Sequence, residues 1–463
     1  MTEQLKLKLN DSKATRWGAL VIVAFTMMAA YYVNDVVAPL KTMLETDLAW
    51  SSTDFGFFTG GYSFLNVFFL MLIWGGLILD RFGIRFTGKL ATILMVGGTA
   101  LEYYAMTGLA GADATLFGIN EILGYKTGVF VAFAGYSIFG VGAEVAGITV
   151  SKIIAKWFKG KELATAMGVQ VALACIGSQA GYAVAIPLAR AFGISTPVLL
   201  GLVLLLGGMI AFFIFAVMDK KLDKQMEAAA IAAGTEDEEE KFSFKDVKNI
   251  LVNPGFWLIA LLCVLFYSCV FPFQKFASEL MIIKYGINEN VAGTFAGLPA
   301  LGALILTPVF GGFIDKRGKS ASIMLLGSAM LICVHFIYAI PDINYWLVAI
   351  VLMIILGIAF SLVPSAMWPA VAKIFPVSQL GTAYALIFFI QNIGLWGIPT
   401  LIGWVLDAYC ISGKKPDGTN MYDYTVPMCI FTGIACLSLI VALLLKKADK
   451  KYGYKLEEPN IQK

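Results

Sequence analysis

Charged side chains are scarce in this sequence, and histidine is nearly absent. Charged residues make up 14% of the 463 positions, whereas an ordinary soluble domain carries roughly 25%. His335 is the single histidine, which excludes a zinc hydrolase and a catalytic triad with a histidine base. The seven cysteines form no CxxC pair, and most lie in apolar runs, where they act as small hydrophobic residues. We therefore predict no metal site, no cofactor and no enzymatic activity.

A strong net charge is also missing. The formal charge is +3, too small for a nucleic-acid-binding protein, which relies on clustered basic residues. The chain instead has 59% apolar residues and a mean hydropathy of +0.80. Glycine is frequent too, with 46 residues, as is common where membrane helices pack closely. These values predict a polytopic membrane protein in a lipid bilayer.

Twelve apolar runs are long enough to cross the bilayer, which takes about 20 residues. They lie at approximately 17–40, 54–79, 87–108, 127–151, 162–189, 194–218, 254–283, 291–314, 320–340, 344–372, 378–407 and 423–446. We therefore expect an all-α polytopic membrane protein with twelve transmembrane helices in two six-helix bundles. The predicted parts are a tail (1–16), an N-terminal bundle (17–218), a linker (219–253), a C-terminal bundle (254–446) and a second tail (447–463). The linker contains the acidic run Glu236–Glu240 and an amphipathic stretch at 243–251.

The two bundles repeat each other in sequence. Residues 155–177 align without gaps to residues 372–394, and Gly76-x-x-x-Asp80 is echoed by Gly311-x-x-x-Asp315. A parallel repeat of two six-span halves predicts a transporter that binds its substrate between the halves. Basic residues are concentrated in the loops on the side of the termini, so both termini are predicted to be cytoplasmic.

The motif around Asp80 reads G-x-x-x-D-R-x-G-x-R, and its copy between spans eight and nine reads G-x-x-x-D-K-x-G-K. This pair of motifs resembles the signature loops of the major facilitator superfamily. The resemblance implies the pseudo-symmetric major facilitator fold. It also implies a cytoplasmic gate that holds the outward-open state, formed by Asp80, Arg81, Arg85, Asp315 and Arg317.

Seven further segments are similar to one branch of that superfamily, whose members transport dipeptides. They are 62–67, 79–85, 139–144, 157–163, 270–273, 368–369 and 379–384. The resemblance implies that Glu144 takes the amino group of the peptide and that Trp368 packs against it. One position departs from the pattern, because Cys175 replaces the fifth-span arginine that serves the peptide carboxylate in that branch. Another cation must hold the carboxylate, or the substrate differs from that of the branch.

Polar residues inside the spans are candidates on physical grounds as well. A charge at the bilayer centre costs about 2.5–3.5 kcal/mol on insertion scales. Glu144 is predicted near the midplane, and Asp35 in the outer half of span one, as a proton carrier, an outer gate or a helix cap. Lys275 and Glu279 are spaced i, i+4, which predicts either a surface pair or, in Lys275, the replacement for the missing arginine. Candidate neutral liners of the cavity are Tyr62, Asn66, Gln170, Gln274, Gln391 and Asn392.

Together these features predict an alternating-access transporter for a small zwitterionic solute, with a dipeptide as the leading candidate. Transport would be facilitated or proton-linked. A proton- or anion-coupled carrier of small organic acids is the first alternative, although spans eight and eleven have no central Lys or Arg. A membrane nutrient receptor or scaffold that does not transport is the second. We expect a functional monomer in a bacterial inner membrane, with a lysosomal membrane as the alternative location.

Overall fold

The computed structural model describes residues 8–111, 114–158, 161–233 and 244–459, so the acidic run lies outside the described residues. The N-terminal half contains α1 (Lys13–Val36), a 3-10 helix (Ala38–Leu40), α2 (Lys41–Leu48), α3 (Ser52–Phe68), α4 (Met71–Thr107), β1 (Glu121–Ile122), β2 (Tyr125–Lys126), α5 (Thr127–Trp157), α6 (Leu163–Phe192) and α7 (Thr196–Ala233). The C-terminal half contains α8 (Phe244–Val252), α9 (Pro254–Tyr285), α10 (Glu289–Ala296), α11 (Leu298–Arg317), α12 (Ser320–Ala339), α13 (Trp346–Ile374), α14 (Val377–Tyr409), β3 (Ile411–Lys414), β4 (Asn420–Tyr422) and α15 (Thr425–Tyr452). Each strand pair forms a small antiparallel hairpin.

Ten helices of the described chain are long and apolar enough to cross a membrane, and the bent pair α3–α4 brings the count to eleven. α3 and α4 meet at an angle of 58°, at Leu70, which has a positive φ of 54°. α4 itself contains Gly83 with φ 74° and ψ 174°, values outside the helical region, so it consists of two helical segments. Counting these segments as parts of spans two and three accounts for the twelve crossings that the sequence predicts.

The structure reproduces the sequence repeat at the backbone level. Gly318, which aligns with Gly83, ends α11 with a positive φ of 71°. Both glycines occupy a region that residues with a Cβ rarely adopt, and each lies at the break between two helical segments on the side of the chain termini. We call that side the terminal face and the opposite side the distal face.

The two halves meet through two pairs of helices, α3 with α14 and α6 with α10 and α11. Glycines allow these helices to approach closely. An added Cβ on Gly56 would collide with the carbonyl oxygen of Pro399, and one on Gly293 would collide with the carbonyl oxygen of Tyr182. Gly56 and Gly293 both lie near the distal ends of their helices, so the halves are sealed against each other at the distal face.

Candidate functional site

Glu144 and Tyr62 come together in the middle of the N-terminal half. Glu144 lies on α5 and Tyr62 on α3, and the hydroxyl of Tyr62 donates a hydrogen bond of 3.1 Å to Oε1 of Glu144. Gly140 brings the two helices together, because a Cβ there would collide with the carbonyl oxygen of Tyr62. Both side chains are half-buried, so part of the surface of each stays exposed in the middle of its span.

Tyr31, on α1, belongs to the same region, although the sequence analysis did not select it. Its side chain interacts electrostatically with Glu144, Cys175 and Asp35 on the N-terminal half and with Tyr267 on the C-terminal half. Even so, 41% of its surface is exposed. Because its neighbours lie on both halves and the halves are in contact near the distal face, we interpret this exposed surface as part of the wall of a cavity between the halves that is open toward the terminal face.

The opposite wall of this cavity is aromatic. The indole Nε1 of Trp368, on α13, donates to the hydroxyl of Tyr267 at 3.3 Å, and the indole stacks on Phe388 with ring centroids 4.8 Å apart. Tyr384 donates to the carbonyl oxygen of Trp368 at 3.1 Å. Tyr267 in turn stacks on Phe271, at 5.5 Å. The site therefore has an acidic wall on one half and an aromatic wall on the other.

Asp35 and Lys275 connect the halves on the distal side of the cavity. Nζ of Lys275 lies 3.1 Å from Oδ1 of Asp35 and donates to the carbonyl oxygen of Asn34 at 2.6 Å. Ser178 donates to the other oxygen of Asp35, and the hydroxyl of Tyr136 donates to the carbonyl oxygen of Asn34 at 2.8 Å. Asp35 and Lys275 are both buried. The expected i, i+4 surface pair of Lys275 with Glu279 is therefore wrong, because each residue pairs across the halves instead.

Glu279 belongs to a second group of charges, nearer the distal face, which we call the distal charge cluster: Lys41, Glu45, Glu279 and Lys415. Nζ of Lys41 lies 2.5 Å from both Glu45 Oε1 and Glu279 Oε2. Lys415 lies 3.5 Å from the remaining oxygens of both carboxylates. Tyr424 also donates to Glu279. Sequence reasoning missed this cluster, because nothing in the sequence distinguishes Lys41, Glu45 and Lys415 from ordinary loop residues.

Several of the residues that the sequence predicts to line the cavity use their polar groups in hydrogen bonds within the protein. Gln274 donates to the carbonyl oxygen of Ala296 at 3.3 Å, within the C-terminal half. Gln391 accepts from the thiol of Cys263 at 3.4 Å, and Asn392 donates to its own helix at Phe388. Asn66 is buried, and neither of its amide atoms has a hydrogen-bond partner among the residues that the structure describes. Gln170 and Cys175, both on α6, are half-buried.

The predicted gate residues lie at the terminal face. Asp80 pairs with Lys152 at 3.1 Å, and Arg85 pairs with Asp223 at 2.8 Å. These pairs join helices of the N-terminal half only. Arg81 and Arg317 each lie over a phenylalanine ring of their own helix, and Asp315 lies in the last turn of α11.

Two further ion pairs join the terminal loops of the N-terminal half. Arg16 donates to Glu162 at 2.8 Å, and this hydrogen bond holds the pKa of Glu162 below its usual value. Lys161 similarly donates to Asp11 at 2.8 Å and lowers the pKa of Asp11.

Within the described ranges, no group of three or more His, Cys, Asp or Glu residues could hold a metal ion.

Comparison with known proteins agrees with this architecture. Residues 20–398, and in a second match residues 276–458, fit the Major Facilitator Superfamily. The human lysosomal dipeptide transporter MFSD1 is 29% identical over 454 residues, which cover 95% of this chain and 88% of the human protein.

Two solved structures share the fold. A variant of the nucleoside transporter NupG has a TM-score of 0.68 at 12% sequence identity, and the match covers 92% of this chain and 98% of that one. A bacterial homologue of the human lysosomal transporter Spinster, crystallised inward-facing and unoccupied, has a TM-score of 0.62 at 14% identity, covering 98% and 99%. Because the family match spans most of the chain, this protein belongs to the Major Facilitator Superfamily.

Proposed function

We propose that this protein is an alternating-access transporter of small zwitterionic solutes, above all dipeptides, rather than an enzyme or a passive receptor. The observation that carries the proposal is the position of Glu144. Its carboxylate lies mid-span beside the cavity and accepts a hydrogen bond from the hydroxyl of Tyr62. A charge at this depth costs about 2.5–3.5 kcal/mol on insertion scales, so intramembrane acids usually have a function. The ammonium group of a peptide is a suitable counter-charge.

The aromatic wall suits a substrate whose side chains vary. Trp368 and Tyr267 present large apolar surfaces with polar edges, and their mutual hydrogen bond fixes their orientation. Such a surface packs against apolar side chains of different shapes. Electrostatic recognition of the charged ends of the substrate, combined with this permissive wall, supports a broad dipeptide specificity. The relatives named as dipeptide transporters support the same substrate class.

Lys275 is the cation best placed for the carboxylate end, and its present partners suggest how binding is coupled to movement. Its ammonium group is held by Asp35 and by the carbonyl oxygen of Asn34, both in the opposite half. A substrate carboxylate that binds to Lys275 must displace Asp35 from its ammonium group. The exchange removes a contact between the halves on the distal side, so that substrate binding favours opening of the distal face.

The orientation and the assembly follow from the same features. We propose that the terminal face is cytoplasmic, because its loops are rich in Lys and Arg. One chain supplies both walls of the cavity, so a monomer is sufficient for transport. A bacterial inner membrane is the proposed location, although the relatives are lysosomal by name.

The proposal is tested by the melting temperature of the detergent-purified protein in the presence of dipeptides, single amino acids and small organic acids. A ligand that binds only the folded state raises its stability by mass action, by about 2.7 kcal/mol at a hundred times its Kd. We expect dipeptides to raise the melting temperature of the wild type and of Glu121→Gln, a control that removes an exposed carboxylate. Glu144→Gln should fold but lose this response. An equal response of Glu144→Gln would remove Glu144 from the site.

A carrier of small organic acids is the second candidate, favoured by the presence of Cys175 where the related branch has an arginine. In that case Lys275 would hold the main charge of the substrate, and Glu144 would not bind it. Stabilisation by organic acids, lost in Lys275→Gln and kept in Glu144→Gln, would select this candidate over dipeptide transport.

A further inference from the structure

Residues 454–458, which follow α15, turn back across the terminal face of the C-terminal half, and we call them the strap. The chain reverses at Gly453 and Lys455, which have positive φ values of 69° and 62°. Leu456 is 0% exposed, and its backbone N–H donates to Oδ1 of Asp449, on α15, at 2.9 Å. The strap is therefore packed into this half, although neither the sequence analysis nor the proposed substrate site uses it.

The strap caps the beginning of α12. The residue before this helix is Lys319, whose side chain cannot accept a hydrogen bond from the free N–H groups of the first turn. The carboxylate of Glu457 accepts instead, and the backbone N–H and the hydroxyl of Ser322 both donate to it at 2.8 Å. Nζ of Lys446 donates to the same hydroxyl at 2.7 Å. One acidic side chain thus anchors the strap to α12.

A second contact joins the strap to the end of α13. Nζ of Lys373 donates to the carbonyl oxygen of Lys455 at 3.1 Å and to that of Glu458 at 2.6 Å. Pro369 and Ala372, also on α13, line one cleft with the strap. The strap therefore connects the last turn of α13 to α12 and α15.

The end of α13 needs such support, because two prolines weaken the helix that leads to it. Pro364 and Pro369 have no N–H, so each removes one hydrogen bond from the helix. Trp368 of the aromatic wall lies between them, and Lys373 lies on the turn that follows. The position of Trp368 therefore depends on contacts outside its own helix. Tyr384 supplies one of them at the carbonyl oxygen of Trp368, and the strap holds the turn beyond it.

The N-terminal half holds the corresponding helix in a different way. Lys156, on α5, aligns with Lys373 in the sequence repeat, and its ammonium group lies 2.7 Å from Asp219 and 2.5 Å from Asp223, both on α7. α5 contains no proline. The N-terminal half thus fixes an unbroken helix with two carboxylates of its own bundle, whereas the C-terminal half fixes a weakened helix with carbonyl groups of the strap.

We propose that the strap positions Trp368 through Lys373, and thereby sets how strongly the site prefers substrates with apolar side chains. Glu457 and Lys373 are positioning residues in this arrangement, because they act on the substrate only through α13. The preference rests on the proposed function, whereas the link from Glu457 to Trp368 is measurable without a substrate.

Fluorine NMR tests this link in protein labelled with 5-fluorotryptophan, where Trp368→Phe identifies the resonance of Trp368 among the nine tryptophans. The resonance should move or broaden in Glu457→Gln and in Lys373→Met. Lys373→Arg keeps donors for the two carbonyl groups and should leave the resonance in place. Glu458→Gln is the matched control, since its carboxylate is 55% exposed and its backbone carbonyl is the group that binds Lys373. A resonance of Trp368 that stays fixed in Glu457→Gln and Lys373→Met, or equal changes at all nine tryptophans, overturns the proposal.

Substrate preference is measured as the Kd of the purified protein for leucyl-leucine and for alanyl-alanine. Glu457→Gln and Lys373→Met should weaken leucyl-leucine binding about fivefold and alanyl-alanine binding less, because leucine presents more apolar surface to the indole. Glu458→Gln should bind both dipeptides like the wild type. Equal losses for the two dipeptides contradict the role of the strap in preference. If the wild type binds neither dipeptide while the resonance of Trp368 still responds to Glu457→Gln, the proposed function is wrong and the positioning of Trp368 by the strap is supported.

Discussion

The distal charge cluster yields the sharpest prediction, for the substitution Glu279→Gln. Glu279 is 1% exposed and binds Lys41 of the opposite half at 2.5 Å. The four charges of the cluster sum to zero, since Lys41 and Lys415 balance Glu45 and Glu279. The substitution keeps the shape of the side chain but leaves the cluster with a net charge of +1, buried between the halves.

The expected magnitude follows from the burial of the cluster. Removing one partner of a buried ion pair costs about 3–5 kcal/mol, because it leaves an uncompensated charge. Lys41 retains Glu45 as a partner, so the lower end, about 3 kcal/mol, applies. The cost falls on the distal-closed conformation alone, because opening the distal face hydrates the cluster. A change of this size raises the ratio of distal-open to distal-closed molecules roughly a hundredfold.

The populations can be measured by electron–electron double resonance between two spin labels. Asp47 and Ser412 are exposed at the distal face, one on each half, and can carry the labels after replacement of the native cysteines. In Glu279→Gln the distance distribution should shift strongly toward longer values. Glu289→Gln is the matched control, because its pair with Arg190 also joins the halves at the distal face but is 40% and 43% exposed. Exposed pairs contribute at most about 1 kcal/mol, so this control should shift the distribution far less.

Two results would refute the reasoning. If Glu279→Gln leaves the distance distribution unchanged, the distal charge cluster does not hold the halves together. If Glu289→Gln shifts it equally, burial does not decide the strength of these contacts, and the cluster has no special role.

Three other predictions concern packing, pH and specificity. Gly56→Ala should force α3 away from the carbonyl oxygen of Pro399, and the same labels should report a more open distal face; an unchanged distribution would contradict the close packing. Arg16 lowers the pKa of Glu162, so the stabilisation from their pair is present above the unfolded-state pKa and disappears as the pH falls through the folded-state pKa. Below about pH 4 the melting temperature of the wild type should therefore fall more steeply than that of Glu162→Gln, and parallel curves would refute this. Cys175→Arg should strengthen stabilisation by dipeptides, and weaker stabilisation would indicate a pocket built around a small residue.

The sequence predicts most of the fold, because the apolar runs and the internal repeat are local signals. The glycines at the two matching helix breaks, Gly83 and Gly318, align in the repeat and have similar φ values of 74° and 71° in the structure. The break between α3 and α4 at Leu70 could not be predicted, because leucine gives no sign of a bend and the apolar run continues through it.

The site is less accessible to sequence reasoning, because it depends on contacts between distant segments. Glu144 stands out as a lone acid in an apolar span, and Asp35 stands out in the same way. The i, i+4 spacing of Lys275 and Glu279 predicts the wrong pair, because their burial against the other half outweighs the weak attraction along one helix. Tyr31 could have been found only by asking which tyrosines on α1 share a helical face with Asp35.

The central claim is that a dipeptide binds in the cavity through Glu144 and is carried across the membrane. The most direct test is counterflow of radiolabelled alanyl-alanine into liposomes preloaded with unlabelled dipeptide, with wild type, Glu144→Gln and Glu121→Gln compared at equal protein content. We predict rapid counterflow for the wild type and Glu121→Gln, abolished in Glu144→Gln. Counterflow that persists in Glu144→Gln, or that alanyl-alanine does not support in the wild type, would contradict the account.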